Sequence, residues 1–243
     1  MKYKVLLWDL DGTLWDLHTN TGLALQQLFD KYRAMHFALA DWNQFKKSYT
    51  KYNDRVWSLY REGKIAKEDL RTRRFRDLFE EVQASYNEDF VERFATEFLE
   101  IAPRLPHTLP GALEILEYAK GKGYKQVILT NGFMEVQGFK MEAAGIRSYF
   151  ADIIYSEEAG VRKPHRPIFD MALARAGCSA DEALMIGDDW DADILGARGA
   201  EIDQVFLNTT EEQLKEAHGV KEIRHNYEAT YTISRLEELH NII

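Results

Sequence analysis

The sequence predicts an α/β fold: a Rossmann-like parallel sheet interrupted after its first strand by a bundle of helices. Three observations predict it. The apolar run Val5-Leu6-Leu7-Trp8 opens the chain and reads as a buried strand. From about residue 19 to 102 the apolar spacing is helical throughout. Beyond Pro103, Pro106 and Pro110, helical and strand patterns alternate, as in a parallel sheet covered on both faces.

In order, the first predicted helix carries Leu23, Leu25, Leu28, Phe29 and Tyr32 on one stripe. Asp41, followed three residues on by Gln44, resembles a capping box for the second, which carries Phe45, Tyr49, Tyr52, Val56, Leu59 and Tyr60. Leu70, Phe75, Leu78, Phe79 and Val82 stripe a third. Asn87 caps a fourth, with Phe90, Phe94 and Phe98 four residues apart. The alternating part then reads as helix 110–121, strand 125–130, helix 134–144, a strand near 151–155, helix 165–176, strand 183–186, helix 190–198, strand 202–206, a weaker strand near 229–233 and a last helix, 234–241. The predicted domains are residues 1–18 with 105–243, and an inserted helical domain, 19–104, expected over the sheet end that holds Asp9.

Composition excludes several classes. A formal net charge of −9 argues against binding a nucleic-acid polymer, which needs a basic surface. No stretch approaches a membrane span, and the single cysteine, Cys178, excludes an internal disulfide; both fit a cytoplasmic protein. Cys178 reads as a buried, inert thiol, and the basic cluster from Arg71 to Arg76 as a solvated helix face.

The predicted strands end alike. The first ends in Asp9-Leu10-Asp11-Gly12-Thr13, the second in Thr130-Asn131-Gly132, and the fourth in Gly187-Asp188-Asp189, with Asp191 and Asp193 just beyond. Lys163-Pro164 precedes the helix after the third. These groups gather at the carboxyl edge of a parallel sheet, where such folds keep their ligands. Several carboxylates, a hydroxyl and a lysine make a hard-cation site beside an anion site. Magnesium suits oxygen donors of this kind, and no Cys/His set has zinc spacing. Asp9 can attack phosphorus, and Asp11 can protonate the leaving oxygen and then activate water. Thr130 and the backbone near Asn131 can hold phosphoryl oxygens, and Lys163 can offset their charge. Asp189 and Asp191 read as acids favoured at a helix N-terminus.

The set Asp9-x-Asp11-Gly12-Thr13, Thr130, Lys163 and Gly187-Asp188-x-x-x-x-Asp193 resembles the four signature motifs of the haloacid dehalogenase (HAD) superfamily of phosphohydrolases, with the inserted helices where that superfamily places its C1-type cap. The resemblance implies an Mg²⁺-dependent phosphomonoesterase working through an aspartyl phosphate, with Asp9, Asp188 and the main-chain carbonyl of Asp11 as metal ligands and Asp193 supporting Lys163 or the metal's water shell. Asp11 favours phosphoryl transfer over carbon–halogen chemistry, because members resembling true dehalogenases lack an acid there. Thr130-Asn131-Gly132-Phe133, the stretch Ser156 to Pro164, and Ile168-Phe169-Asp170-Met171-Ala172-Leu173 are similar to the YjjG-type pyrimidine 5′-nucleotidases. That similarity implies a small phosphorylated metabolite, a nucleoside monophosphate, as substrate. His165-Arg166-Pro167 departs from the acidic residue usual after Lys-Pro in that group.

Substrate choice then falls to the cap. Trp15, Trp42, Trp57 and Tyr60 are candidates for stacking on a base, each against the alternative of packing the core, and Trp15 leads because it adjoins the first motif. Competing readings are a sugar-phosphate or phosphoglycolate-type phosphatase, a phosphomutase, a phosphonatase using a cap lysine, and a phospho-acceptor signalling module. The oligomeric state is left open.

Overall fold

The computed structural model describes residues 2–208 and 228–243. It divides into two compact units, one of residues 2–17, 104–208 and 228–243, the other of residues 18–103. The part of the predicted core domain at 209–227 lies outside the described residues.

In the first unit six described strands form one parallel sheet: β1 (Val5–Trp8), β2 (Lys125–Thr130), β3 (Asp152–Tyr155), β4 (Ala183–Gly187), β5 (Asp203–Leu207) and β6 (Tyr231–Ile233). Their order is β3-β2-β1-β4-β5-β6, so β1 lies between β2 and β4, where the chain switches from one side of the sheet to the other. All neighbours pair in parallel, with Trp8 level with Ile128 and Ile186. The two-residue alternation of β1 serves both faces. Leu6 and Trp8 enter one core with Ile128, Leu184 and Ile186; Val5 and Leu7 enter the other with Val127, Met185 and Phe169.

The second unit holds most of α1 (Leu17–His36), together with α2 (Trp42–Arg61), α3 (Lys67–Glu81) and α4 (Glu88–Ile101). The predicted caps form: Gln44 N–H donates to Asp41 at 3.1 Å and Phe90 N–H to Asn87 at 2.9 Å. The core is aromatic, with Phe94 edge-on to Phe75 (5.1 Å between centroids), Phe79 (5.1 Å) and Phe37 (6.0 Å). Edge-to-face pairs of this kind contribute about 0.5–1.5 kcal/mol each beyond burial.

Several expectations change. Leu23 is exposed, outside the stripe predicted for α1. The cluster from Arg71 to Arg76 is not simply a solvated face: Arg74 is 5% exposed and donates from Nη1 to Asn53 Oδ1 at 2.8 Å, between the rings of Phe75 and Phe98. Its guanidinium lies over the faces of those rings, which helical spacing alone does not reveal. Cys178 is half-buried, and burial pushes its thiol pKa up, away from reactivity. The last predicted helix is a 3₁₀ turn, Leu236–Asn241. The predicted helix 190–198 begins as a π-helical turn, Trp190–Leu195. There the N–H groups of both Asp193 and Ile194 reach the Asp189 carbonyl, because the Asp193 side chain turns inward. No described helix is long and apolar enough to cross a membrane.

Candidate active site

The carboxyl ends of β1, β2 and β4 set the site. Trp8, the last residue of β1, is anchored by its indole N–H on Gln126 Oε1 at 3.1 Å, and the Asp9 N–H donates to the Ile186 carbonyl at 2.9 Å. Strand geometry thus carries one residue beyond β1 and delivers Asp9 to the edge. The chain then folds on itself: Leu14 and Trp15 donate to the Leu10 carbonyl, and Gly12 to that of Trp15. Gly12 has φ +88°, a conformation that glycine adopts without strain, and a Cβ there would overlap the Asp188 carboxylate. The close approach of the first motif to the end of β4 therefore depends on a missing side chain.

Two separate constellations result. In the first, one carboxylate oxygen each from Asp9, Asp188 and Asp193 lies within 4.8 Å of the others. Lys163, 2% exposed, donates to Asp9 Oδ1 and Asp193 Oδ1, both at 2.6 Å. Asp193 is wholly enclosed and also accepts from the Asp189 N–H at 3.1 Å. Thr13 donates to Asp188 Oδ1 at 2.7 Å. Asp189 caps the π turn through the Ala192 N–H, the structural part expected of it.

The electrostatics are unbalanced, with three carboxylates facing one ammonium. Burial raises the pKa of Asp9 well above the usual carboxylate range; Lys163 opposes this, while Asp193 and Asp188 add to it. Asp188 is pushed up to about 7, by burial first and then by Asp193. Asp193 is raised by burial against the pull of Lys163. Burial works against the charge on Lys163, but Asp193 and Asp9 outweigh it and hold the lysine protonated. A divalent cation would remove the surplus negative charge, and an all-oxygen donor set suits a hard ion.

The second constellation surrounds Asp11, whose carboxylate stands outside that acidic group. Lys140 Nζ donates to both its oxygens, at 2.7 and 2.8 Å, and Gln137 Nε2 to Oδ2 at 2.9 Å. The same Gln137 amide donates to Thr130 Oγ1 at 3.0 Å, which also accepts from the Gly132 N–H at 2.9 Å. Both acceptor positions of the Thr130 hydroxyl are taken, so its own hydrogen is left to donate to a ligand oxygen.

The Asn131 side chain serves structure, while the phosphoryl contact expected at this position is one of the backbone. That side chain accepts from the Lys163 N–H at 2.8 Å and donates to the Lys163 carbonyl at 3.0 Å, tying β2 to the lysine segment. Trp15 departs from expectation. It is 1% exposed, its N–H donates to the Leu105 carbonyl at 3.1 Å, and Lys140 Nζ lies 4.6 Å from its ring centroid. An enclosed ring offers no face to a base, so Trp15 serves packing in this structure. Trp42 packs against Phe29, and Tyr60 is buried beside Trp57.

Sequence reasoning missed Gln137 and Lys140. Both lie on α5 (Met134–Ala143), where the buried residues are Gln137, Lys140 and Met141. Their signal was polar side chains three residues apart sharing a helical stripe with an apolar one.

Acids gathered around a buried lysine at the switch point of a parallel sheet mark an enzyme of α/β architecture. The chain belongs to the haloacid dehalogenase-like hydrolases, whose family profile matches residues 3–201. It is 32% identical to pyrimidine 5′-nucleotidase YjjG of Escherichia coli, over 100% of this chain and 99% of that protein. It is 31% identical to pyrimidine 5′-nucleotidase PynA of Streptococcus pneumoniae, over 86% of this chain and 85% of that protein. A crystal structure of YfnB from Bacillus subtilis bound to magnesium superposes with a TM-score of 0.84 at 28% identity, covering 100% of this chain and 99% of that one.

Proposed function

We propose that the protein is a cytoplasmic, magnesium-dependent phosphomonoesterase that hydrolyses pyrimidine nucleoside 5′-monophosphates through an aspartyl phosphate on Asp9. The observation that carries the chemistry is the division of labour between two acids two residues apart. Asp9 sits in the buried lysine-paired cluster; Asp11 is held away from it by Lys140 and Gln137.

An oxygen of Asp9 attacks phosphorus, and the ester P–O bond breaks with its electron pair passing to the leaving oxygen. Asp11 gives that oxygen a proton, and the alcohol departs. Asp11 then takes a proton from water, which attacks the phosphorus of the acyl phosphate and regenerates the Asp9 carboxylate. The Thr130 hydroxyl and the backbone N–H groups after it hold phosphoryl oxygens, while Lys163 offsets charge beside Asp9. Asp9, Asp188 and the main-chain carbonyl of Asp11 would hold Mg²⁺, with Asp193 fixing Lys163. When bound, the ion supplies charge neutralisation and polarises the phosphoryl group. The magnesium-bound YfnB structure supports the choice of metal, and the two nucleotidase relatives support the substrate class.

The test is phosphate release, with and without Mg²⁺, from UMP, dUMP, dTMP, AMP, phosphoglycolate and hexose phosphates. Preference for the pyrimidine nucleotides is the expected result. Preference for phosphoglycolate or sugar phosphates would retain the chemistry and overturn the substrate class. No metal-dependent release from any of them would overturn both.

A further inference from the structure

We infer that Lys140 and Gln137 are positioning residues for proton delivery by Asp11, and that Lys140 stabilises the negative charge that Asp11 acquires as it protonates the leaving group. The inference rests on the proposed phosphatase reading and assigns a role to two residues outside the four motifs.

The groups that donate to Asp11 are themselves held in place, although Gln137 Oε1 is buried without a hydrogen-bond partner. Lys140 grips both oxygens of Asp11, which fixes the plane of the carboxyl group and not merely its position. Its ammonium lies over the face of Trp15, and that ring is itself held by the Leu105 carbonyl. Gln137 is fully enclosed, and its amide bridges Asp11 and Thr130, so one side chain sets the proton donor relative to a phosphoryl-binding hydroxyl. The Gln137 amide occupies the place that a Cβ on residue 132 would take, so Gly132 is needed for the bridge. Its orientation is set by chemistry, because a flipped amide would point its oxygen at a carboxylate.

A largely buried ion pair is weak evidence for stability, because desolvation offsets much of the attraction. Its position suggests what it does instead. When the P–O bond to the leaving group breaks, the ester oxygen receives the electron pair and takes the proton from Asp11. Asp11 is left as a carboxylate with the Lys140 ammonium 2.7 Å from one of its oxygens. A fixed cation placed where negative charge develops lowers the barrier of that step without reorganisation.

The consequence is a dependence on the leaving group. The 5′-oxygen of a nucleotide is a poor leaving group and needs the proton; p-nitrophenolate leaves readily without one. The experiment measures kcat/KM for UMP and for p-nitrophenyl phosphate with the full-length wild type, Lys140→Met and Lys140→Arg. Lys140→Met is expected to lose about 10²-fold on UMP, at the lower end of the contribution of general acid catalysis, and several-fold less on the aryl ester. Lys140→Arg, which keeps a bidentate cation, should recover most of the difference. Equal losses on both substrates, or no loss on UMP, would overturn the inference. If Lys140→Met fails to fold, Lys140→Gln gives the same ratio from a polar side chain of similar reach. A wild type inactive on both esters would instead overturn the phosphatase reading, so the two failures are distinct.

Discussion

The two units fill their interiors differently. Beneath the carboxyl edge of the sheet, the first buries Asp9, Thr130, Gln137, Lys140, Lys163 and Asp193, nearly all held by named partners. The helical unit buries rings: Phe29, Phe37, Phe45, Phe75, Phe79, Phe90 and Phe94 pack against one another. Packed rings gain free energy from every contact. Buried charges gain little net free energy and need exact partners, so retaining them is explained by chemistry. The first interior should therefore fail in function when changed, and the second in stability.

The largest effect is expected where the contrast is sharpest. Asp9→Asn removes the attacking carboxylate while conserving shape, and kcat for UMP should fall by on the order of 10⁴-fold or more. Its thermal midpoint should change little or rise, because an unfavourably buried charge is lost. Substantial residual turnover would remove Asp9 as nucleophile. Phe94→Ala is the opposite probe: urea unfolding should show a loss of about 3–5 kcal/mol, with kcat for p-nitrophenyl phosphate retained in the folded fraction. A loss below 1 kcal/mol would show that the ring cluster is not the stabilising core.

Gly12→Ala tests the join between β1 and β4. The positive φ and the overlap with Asp188 together should cost about 1–3 kcal/mol. Metal affinity, read by titrating activity with Mg²⁺, should weaken, since Asp188 must shift. Unchanged affinity would argue that Asp188 is not a ligand.

The smallest effect is a pH dependence. The folded-state pKa of Asp188, about 7, lies above its ordinary 3.8. Without metal, the stability associated with its protonated form is present below about pH 4 and is lost as pH rises through 7. A cation competes with that proton. Mg²⁺ should therefore raise the melting temperature more at pH 8 than at pH 5. An equal rise at both would contradict a metal bound by this carboxylate.

Much of this division could be read in the sequence. The strands from β1 to β5 announced themselves as apolar runs, Asp9, Thr130 and Asp188 as polar residues at strand ends, and Lys163 as a basic residue just ahead of a helix. Phe90, Phe94 and Phe98 gave the helical interior by spacing alone. Three kinds of feature stayed hidden. Lys140 and Gln137 lie within a helix, and only the approach of α5 to the loop after β1 shows that they meet Asp11. Trp15 looked available beside the first motif, but its ring is covered from elsewhere in the chain. The π turn arises because Asp193 reaches inward to Lys163, a tertiary contact that local periodicity does not encode.

The central claim is that Asp9 carries the phosphoryl group. The most direct measurement is rapid quench of wild-type enzyme turning over UMP with Mg²⁺, followed by borohydride reduction and peptide mass spectrometry. An acyl phosphate on Asp9 is reduced to homoserine, and that change is predicted at Asp9 and at no other carboxylate. Modification at Asp11, or none at any residue during demonstrated turnover, would contradict the account.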